Sequence, residues 1–330
     1  MRYYELTLTN AKTGKVLNQW SSYPNGTYDP GANNIIFDLP VSPGDVPTGQ
    51  GGITIENVSL ADVTNAQQYA ATIQNGKQVS GANITLKGGM GASFPLNNPQ
   101  QQGVLMNGSV YQSWGNWIGT EMSINFIPVP AIYQNVNPGN IVWQWFPGQS
   151  ITDALKATLS VAYPSIPFQS NVSANVATTR LDVAFFSTFA QLAAHIKQLT
   201  AGVVSSTYQG VGLVFQSGTI TAYDGTDENV TINLAFDDFV GQPTWVEPNT
   251  IQVQTVLRGD IQVGNFVKFP VGYQGLPGFV QTQQASSPSF FKYQSAIQGK
   301  FLVNQIRHIG NLREPNLNAW STLLNCVVVQ

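Results

Sequence analysis

The sequence predicts a mainly β protein with two similar β units joined by a small α+β middle segment. Three observations support this fold class. Short stretches of alternating apolar and polar residues fill the first 145 positions, helical periodicity appears only between about 150 and 200, and strand patterns return after position 212. With 330 residues, the chain is long enough for two or three domains that each bury a core.

The first β unit opens with a half-buried strand, in which Tyr4, Leu6 and Leu8 alternate with polar residues. The turn Asn10–Gly14 leads to a returning strand over Val16–Trp20. Gly, Pro and Asn clusters separate five further predicted strands: Asn34–Leu39, Gly52–Val58, Asn83–Lys87, Leu105–Trp114 and Met122–Ile127. Short strands at this spacing favour a barrel or a sandwich.

The middle segment begins after a proline-rich break at Pro128, Pro130, Pro138 and Pro147. The first predicted helix runs over Ser150–Val161, with Ser150 as its N-cap. A second helix is predicted from a capping Ser187 to Gly202. Its apolar stripe consists of Phe189, Leu192, Ala193, Ile196 and Leu199.

The second β unit follows a hairpin signal at Ser217-Gly218 between two apolar runs. We found no strict sequence repeat, but the order of elements suggests a second β unit similar to the first. The strands predicted in this part are Gly212–Gln216, Thr219–Tyr223, Val230–Phe236, Thr250–Arg258, Phe266–Phe269, Ser295–Asn304 continuing towards His308, and Ala319–Val328.

The composition favours a subunit of an assembly. Charged residues make up only 9% of the chain, and Asn and Gln outnumber them nearly two to one. A free monomer gains solubility from surface charge, whereas a subunit inside an assembly needs less of it. The net charge is −3 and no basic run occurs, which argues against a nucleic-acid-binding protein.

The lone cysteine and the apolar runs indicate neither disulfides nor membrane spans. Cys326 has no intrachain partner and is expected to be a small buried residue. No apolar stretch reaches the roughly 18 residues of a membrane helix. Residues 1–5 resemble a strand rather than a signal peptide, so we expect the protein to stay in the cytoplasm until it is assembled or released.

The sequence offers no catalytic, cofactor-binding or metal-binding residues, so we do not expect an enzyme. His195 and His308 have no second His or Cys at ligand spacing, and no nucleophile-elbow pattern occurs. The carboxylates at Asp237-Asp238 and Asp224–Glu228 are interpreted as a diverging pair and a turn. The run Gly88–Gly91 is interpreted as a glycine-rich bend rather than a phosphate loop.

Seven tryptophans could form a sugar-binding platform or pack in cores and interfaces. The densest cluster is Trp114-Gly115-Asn116-Trp117. Packing is the more common use of tryptophan, and we favour it. The candidate core or interface anchors are Trp114, Trp117, Trp245, Trp320 and His308.

Three ordered segments resemble the baseplate central hub proteins of contractile-tailed, Mu-like and related bacteriophages. The ordered combination carries the resemblance, which is strongest at roughly 50–125 and 235–325. The segments are Gly52–Ala61 with Ile84–Met90, Phe94–Pro99, Gly103–Gly108 and Trp114–Thr120; then Phe239–Trp245 with Thr250–Arg258 and Val263-Gly264; and finally Gly299–Gly310 with Trp320–Thr322.

The resemblance implies a homotrimer in which each subunit carries two tube-type β-barrel domains flanking the two-helix insertion. We place these domains at 1–145 and 236–330, with the mixed middle domain at 146–235. Such a hub adapts the six-fold tail tube above to the three-fold spike below and contacts other baseplate proteins in the virion tail. Its lumen lets genomic DNA pass without specific binding.

Other functions remain open from the sequence. One is another tail-tube or distal-tail component, although those usually have a single barrel. A second is a carbohydrate-binding tail receptor protein that uses the tryptophans. A third is a peptidoglycan hydrolase. A hub of a non-phage contractile injection machine is equally compatible with these residues.

Overall fold

A computed structural model describes residues 1–46, 51–75, 77–91, 98–130, 140–206, 208–226, 230–269, 278–279 and 299–328. Among the described residues, 47% lie in strands and 17% in helices, which confirms the mainly β prediction. In the described part of the chain, none of the helices combines the length and apolar character that a membrane crossing requires.

The first part of the chain forms an antiparallel sheet with strand order β3-β4-β9-β8-β7-β1-β2 and a separate β5-β6 hairpin. A short helix α1 (Leu60–Asn65) begins at a capping box between Ser59 and Asp62. The strands are β1 (Arg2–Thr9), β2 (Val16–Ser21), β3 (Ile35–Val41), β4 (Gly52–Glu56), β5 (Thr72–Gln74), β6 (Lys77–Val79), β7 (Asn83–Met90), β8 (Gly103–Ile118) and β9 (Glu121–Pro130).

The middle part carries two helices of equal length. Helix α2 (Ile151–Ala162) is capped by Ser150, and helix α3 (Phe189–Thr200) by Thr188. Both helices pack against two small sheets, of which β10 and β12 form one and β11, β14 and β13 form the other. The strands are β10 (Ile141–Trp145), β11 (Phe168–Asn171), β12 (Asp182–Phe186), β13 (Gly212–Gln216) and β14 (Thr219–Tyr223).

The last part returns to the large sheet. Its strand order continues as β19-β16-β17-β21-β20, while β18 pairs with β20 and with β15. The strands are β15 (Thr231–Asn233), β16 (Thr244–Glu247), β17 (Thr250–Val256), β18 (Phe266–Lys268), β19 (Gly278–Phe279), β20 (Lys300–Asn311) and β21 (Trp320–Val328).

The two β parts join edge to edge through β3 and β20. These strands are antiparallel, and their register runs from Ile306 opposite Val41 to Asn311 opposite Ile36. The junction merges the two parts into one sheet of 14 strands. A strand from early in the sequence therefore lies beside one from late in the sequence.

Three apolar clusters fill the interior. The first lies under the first β part and includes Trp320 from β21, and the third lies under the last β part. The second surrounds α2 and α3 and includes Trp143 and Trp145 from β10. Strand β10 therefore packs with the helices, although it precedes position 146. The predicted domain limits remain a prediction.

Several local predictions need correction. The N-cap of α3 is Thr188 rather than Ser187, because the Thr188 hydroxyl accepts a hydrogen bond from the Gln191 amide at 3.2 Å. Residues 88–90 continue strand β7 instead of forming a bend. A Cβ on Gly88 would lie 2.6 Å from the Leu105 side chain, so a larger residue there would have to displace that side chain. The strand predicted over Val230–Phe236 ends at Asn233.

The proline-rich break begins later than predicted, because β9 extends through Pro128 to Pro130. The pairing of β9 with β4 ends at Phe126. Pro128 and Pro130 lie beyond that point, so their lack of an N–H group does not cost a hydrogen bond to β4. Pro138, the Phe94–Asn97 part of the resemblance, the carboxylates Asp227-Glu228 and residues 295–298 of a predicted strand lie outside the described residues.

Candidate functional site

One face of the large sheet is polar and faces away from the apolar clusters. The alternation of buried and accessible residues along β17, β20 and β3 places every second side chain there. We call this surface the polar face. On four adjacent strands this face includes Thr250, Gln252, Gln254, Ser321, Leu323, Asn325, Val327, Gln305, Arg307, Ile309, Asn311, Ile36, Asp38 and Pro40, of which Ser321 is fully buried.

Amide side chains link the strands across the polar face. Gln252 donates to Asn325 Oδ1 at 3.1 Å, and Asn325 donates to Gln305 Oε1 at 3.1 Å. Gln254 donates to the Ser321 hydroxyl at 2.9 Å. The bulge after Val303 in β20 shifts the register by one residue and brings Gln305 opposite Asn325. The amide-rich composition thus becomes an ordered ladder of uncharged groups.

A single ion pair lies among the outward residues of β17, β21, β3 and residues 305–311 of β20. Arg307 donates from Nε to Asp38 Oδ1 at 2.7 Å and from Nη2 to Asp38 Oδ2. The hydrogen bond to Asp38 raises the pKa of Arg307, whose charge is already permanent. The two charges cancel, so this part of the polar face carries no net charge.

The predicted anchors Trp320 and His308 are buried beneath the polar face. Trp320 donates from Nε1 to the Gly89 carbonyl at 2.9 Å, and the Arg2 guanidinium lies 5.7 Å from its ring centroid. His308 Nδ1 lies 3.0 Å from the Thr322 hydroxyl. Burial lowers the pKa of His308 to about 4, so the ring is neutral at pH 7.

Trp245 is half-buried on β16 and packs edge-on against Phe301 at a centroid distance of 6.2 Å. Trp114 and Trp117 are exposed at the end of the β8–β9 hairpin, at 39% and 62%. Their spacing of three residues in a regular strand puts the two rings on opposite faces. These two rings therefore do not form one shared platform, and their role as interface anchors remains a prediction.

The sequence analysis missed a buried ionic network between the two β parts. Arg258 is 3% exposed and donates to Asp238 at 2.9 Å and to both oxygens of Asp260, while Gln101 donates to Asp238 at 2.7 Å. The signal in the sequence that could have indicated this network is the Arg258-Gly259-Asp260 turn, which places opposite charges two residues apart. A Cβ on Gly259 would lie 2.6 Å from the Gly103 backbone, so the two chain segments touch there.

A cavity of about 560 Å³ lies where the two β parts meet helix α3. Its walls are mainly apolar and include Leu39, Val104, Phe189 and Ile261, with His308 on one side. No group of three or more potential metal-ligating side chains occurs in the described ranges. The sequence predicts no catalytic residues. The cavity neither supports nor contradicts this, so it remains a prediction.

Comparisons with known proteins identify structural neighbours only. No protein-family model matches this chain. No curated protein matches it either. The fold is similar to a component of the type VI secretion system of E. coli, itself described as similar to bacteriophage T4 tail proteins. That match has 8% identity and a TM-score of 0.49, and it covers 90% of this chain and 74% of the other.

Two further solved structures match almost the whole chain. A tail protein from Neisseria meningitidis matches with 11% identity and a TM-score of 0.44, covering 99% of this chain and 96% of the other. A 43 kDa tail protein of prophage MuSo2 from Shewanella oneidensis matches with 11% identity and a TM-score of 0.47, covering 99% and 98%. Both of these structures are described as tail proteins.

Proposed function

We propose that this chain is a structural virion protein, the central hub of a phage tail baseplate, and not an enzyme. In this role it forms a homotrimer that adapts the six-fold tail tube above to the three-fold spike below. It also contacts other baseplate proteins. The hub is assembled in the host cytoplasm and resides in the virion tail baseplate.

The observation that carries this proposal is the joining of two β parts into one sheet at the β3–β20 junction. Three copies of a subunit with two β parts present six, which is what a six-fold partner requires. A three-fold partner would contact each subunit once. Cyclic assemblies of this kind use head-to-tail contacts between different patches of neighbouring subunits.

The polar face supports a role in DNA passage. A conduit must be wetted by water and must not hold the phosphate backbone through free cations. The ladder of Gln252, Asn325 and Gln305 offers neutral hydrogen-bonding groups, and Arg307 is neutralised by Asp38. In the proposed hub this face lines the lumen, and genomic DNA slides along it without specific binding.

Solution mass and negative-stain imaging of the purified protein test the hub. A trimeric ring with a central opening is the expected result. Co-expression with the tube and spike proteins is the second arm, because the trimer can depend on its partners. A chain that remains a monomer even with both partners contradicts the proposal.

A carbohydrate-binding tail receptor is the second candidate, and the exposure of Trp114 and Trp117 favours it. Exposed aromatic rings can stack on sugars. Glycan-array binding that is lost in the Trp114→Ala and Trp117→Ala variants would support this candidate. Another tail-tube or distal-tail component is the remaining alternative, and a six-fold ring in the images would identify it.

A further inference from the structure

We propose that Asp38 masks Arg307 and so keeps a latent phosphate-binding site on the polar face closed to DNA. The inference rests on the proposed function, because the polar face is the lumen wall only in the hub. It assigns Asp38 as the residue that determines whether this face binds or releases a phosphodiester backbone.

The geometry of the pair supports masking. Arg307 lies opposite Pro40 in the register of β20 and β3, so Asp38 is its diagonal neighbour on the same face. Two edges of the guanidinium fork, Nε and Nη2, each donate to one carboxylate oxygen. This is the bidentate arrangement in which arginine also holds phosphate. The carboxylate therefore occupies the donors that a phosphate would use.

The pair is placed where a mobile polyanion could reach it. The side chains of Arg307 and Asp38 are 52% and 47% exposed. Their outward neighbours Gln305, Ile309 and Leu323 are uncharged. Without Asp38, the Arg307 cation would have no carboxylate among the outward residues of β17, β21, β3 and residues 305–311 of β20. In a trimer, three such cations would surround the passage.

The choice of an ion pair has a physical reason. An exposed pair contributes little to stability, typically about 0–1 kcal/mol. Two uncharged residues at positions 38 and 307 would leave the face equally neutral, and no charged side chains would have to be held in a fixed geometry. The long arginine stem can cover the partly exposed apolar side chains around it, and the carboxylate then cancels the charge. We infer that Asp38 allows an arginine on a surface that must not bind DNA.

DNA binding by purified variants tests the inference. The probe is a short fluorescent double-stranded DNA followed by anisotropy at about 50 and 200 mM salt, where phosphate contacts differ strongly in strength. The wild-type protein is expected to show no saturable binding. Asp38→Asn is expected to show saturable binding at low salt, and its affinity should fall about 3–4-fold at high salt for each phosphate that Arg307 contacts.

Two variants serve as controls, and a third repeats the unmasking. Asp38→Asn combined with Arg307→Gln should return to the wild-type level. Glu56→Gln removes the same charge from the neighbouring strand β4, where Glu56 accepts a hydrogen bond from Asn34 at 2.8 Å, and it should not create binding. Asp38→Ala provides a second unmasking variant, and circular dichroism melts establish that each protein is folded.

The outcomes separate this inference from the hub proposal. Folded Asp38→Asn and Asp38→Ala proteins without DNA binding overturn the masking role, even if the protein is a trimeric ring. Equal binding by Glu56→Gln overturns it as well, because net charge alone would then explain the effect. A wild-type monomer in the presence of its partners overturns the hub alone, since unmasking of Arg307 is still measured on the monomer.

Discussion

Arg258 Nη1 lies 2.9 Å from Asp238 Oδ2, and both side chains are at least 90% buried. Asp238 also accepts hydrogen bonds from Gln101 in the first β part and from the backbone N–H of Ala235. Water has little access to either charge and cannot readily replace its partner. The Gln101–Asp238 hydrogen bond joins two chain segments more than 130 residues apart, and Arg258 neutralises the carboxylate that accepts it.

Arg258→Leu is expected to destabilise the protein by about 3–5 kcal/mol, because it leaves Asp238 buried without a counter-charge. Urea unfolding at pH 7 measures the change. The double variant Arg258→Leu with Asp238→Leu should lose less than the single one, since it removes both charges. Arg180→Leu is a suitable control at an exposed site, with an expected change of about 0.5 kcal/mol or less. A loss below about 1 kcal/mol for Arg258→Leu would argue against the network.

His308 should make stability depend on pH. Burial lowers its pKa to about 4 from 6.5, so the unfolded state binds a proton more readily between these values. Above pH 6.5 the His308 ring is neutral in both states and the protein has its full stability. As the pH falls from 6.5 towards 4, protonation of His308 in the unfolded state lowers the free energy of unfolding. Between pH 7 and 4.5 the loss amounts to about 2.5 kcal/mol.

The measurement is the free energy of unfolding at both pH values for the wild type and for His308→Gln. The variant has no titrating ring, so its loss on acidification should be smaller by about 2.5 kcal/mol. The carboxylates contribute equally to the pH dependence of both proteins. Identical pH dependence of the two proteins would show that His308 is protonated as easily in the folded state as in the unfolded one.

Gly310→Ala tests the β3–β20 junction. A Cβ at Gly310 would lie 2.1 Å from the Phe37 ring, and Phe37 packs edge-on against Trp320. We expect a loss of about 1–3 kcal/mol from overpacking. Gly52→Ala on β4 is the matched control, because a Cβ there meets nothing within 4 Å. The melting temperature should therefore fall for Gly310→Ala but not for Gly52→Ala. Equal melting temperatures of the two variants would contradict the close packing at the junction.

Trp117→Ala distinguishes assembly from folding. The ring is 62% exposed and its Nε1 donates to the Gly119 carbonyl within the same turn. The substitution should change the free energy of unfolding by about 0.5 kcal/mol or less. It should reduce the fraction of trimer measured by light scattering if Trp117 is an interface anchor. Trp320→Ala, at a buried site, should instead cost about 3–5 kcal/mol. An unchanged trimer fraction for Trp117→Ala would rule out Trp117 as an interface anchor.

The sequence predicted those elements whose signal is local. Helix α2 follows from its apolar stripe and the Ser150 cap, and the hairpin of β13 and β14 follows from Ser217-Gly218 between two apolar runs. Strand β10 was missed although Ile141, Trp143 and Trp145 alternate in its burial pattern, because the neighbouring prolines suggested a break.

Long-range features could not be predicted in the same way. The pairing of β3 with β20 depends on which edges remain free once each part has folded, and no residue pattern encodes that choice. The same holds for Arg258, whose partner Asp238 is 20 positions away and becomes buried only when Gln101 packs beside it. Trp114 and Trp117 were predicted to pack in a core or an interface; the hairpin exposes both side chains, which excludes the core and leaves the interface as a prediction.

The position of β20 between β21 and β3 has a consequence for biosynthesis. The ribosome completes β3 long before it makes β20, so the β3 edge stays open while most of the chain emerges. An open edge is a template for pairing with other chains, and non-local pairing is slow. Only a polypeptide translated through Asn311 can close that edge. Interrupted translation products would therefore be left with an unpaired β3 edge that is prone to pair with other chains.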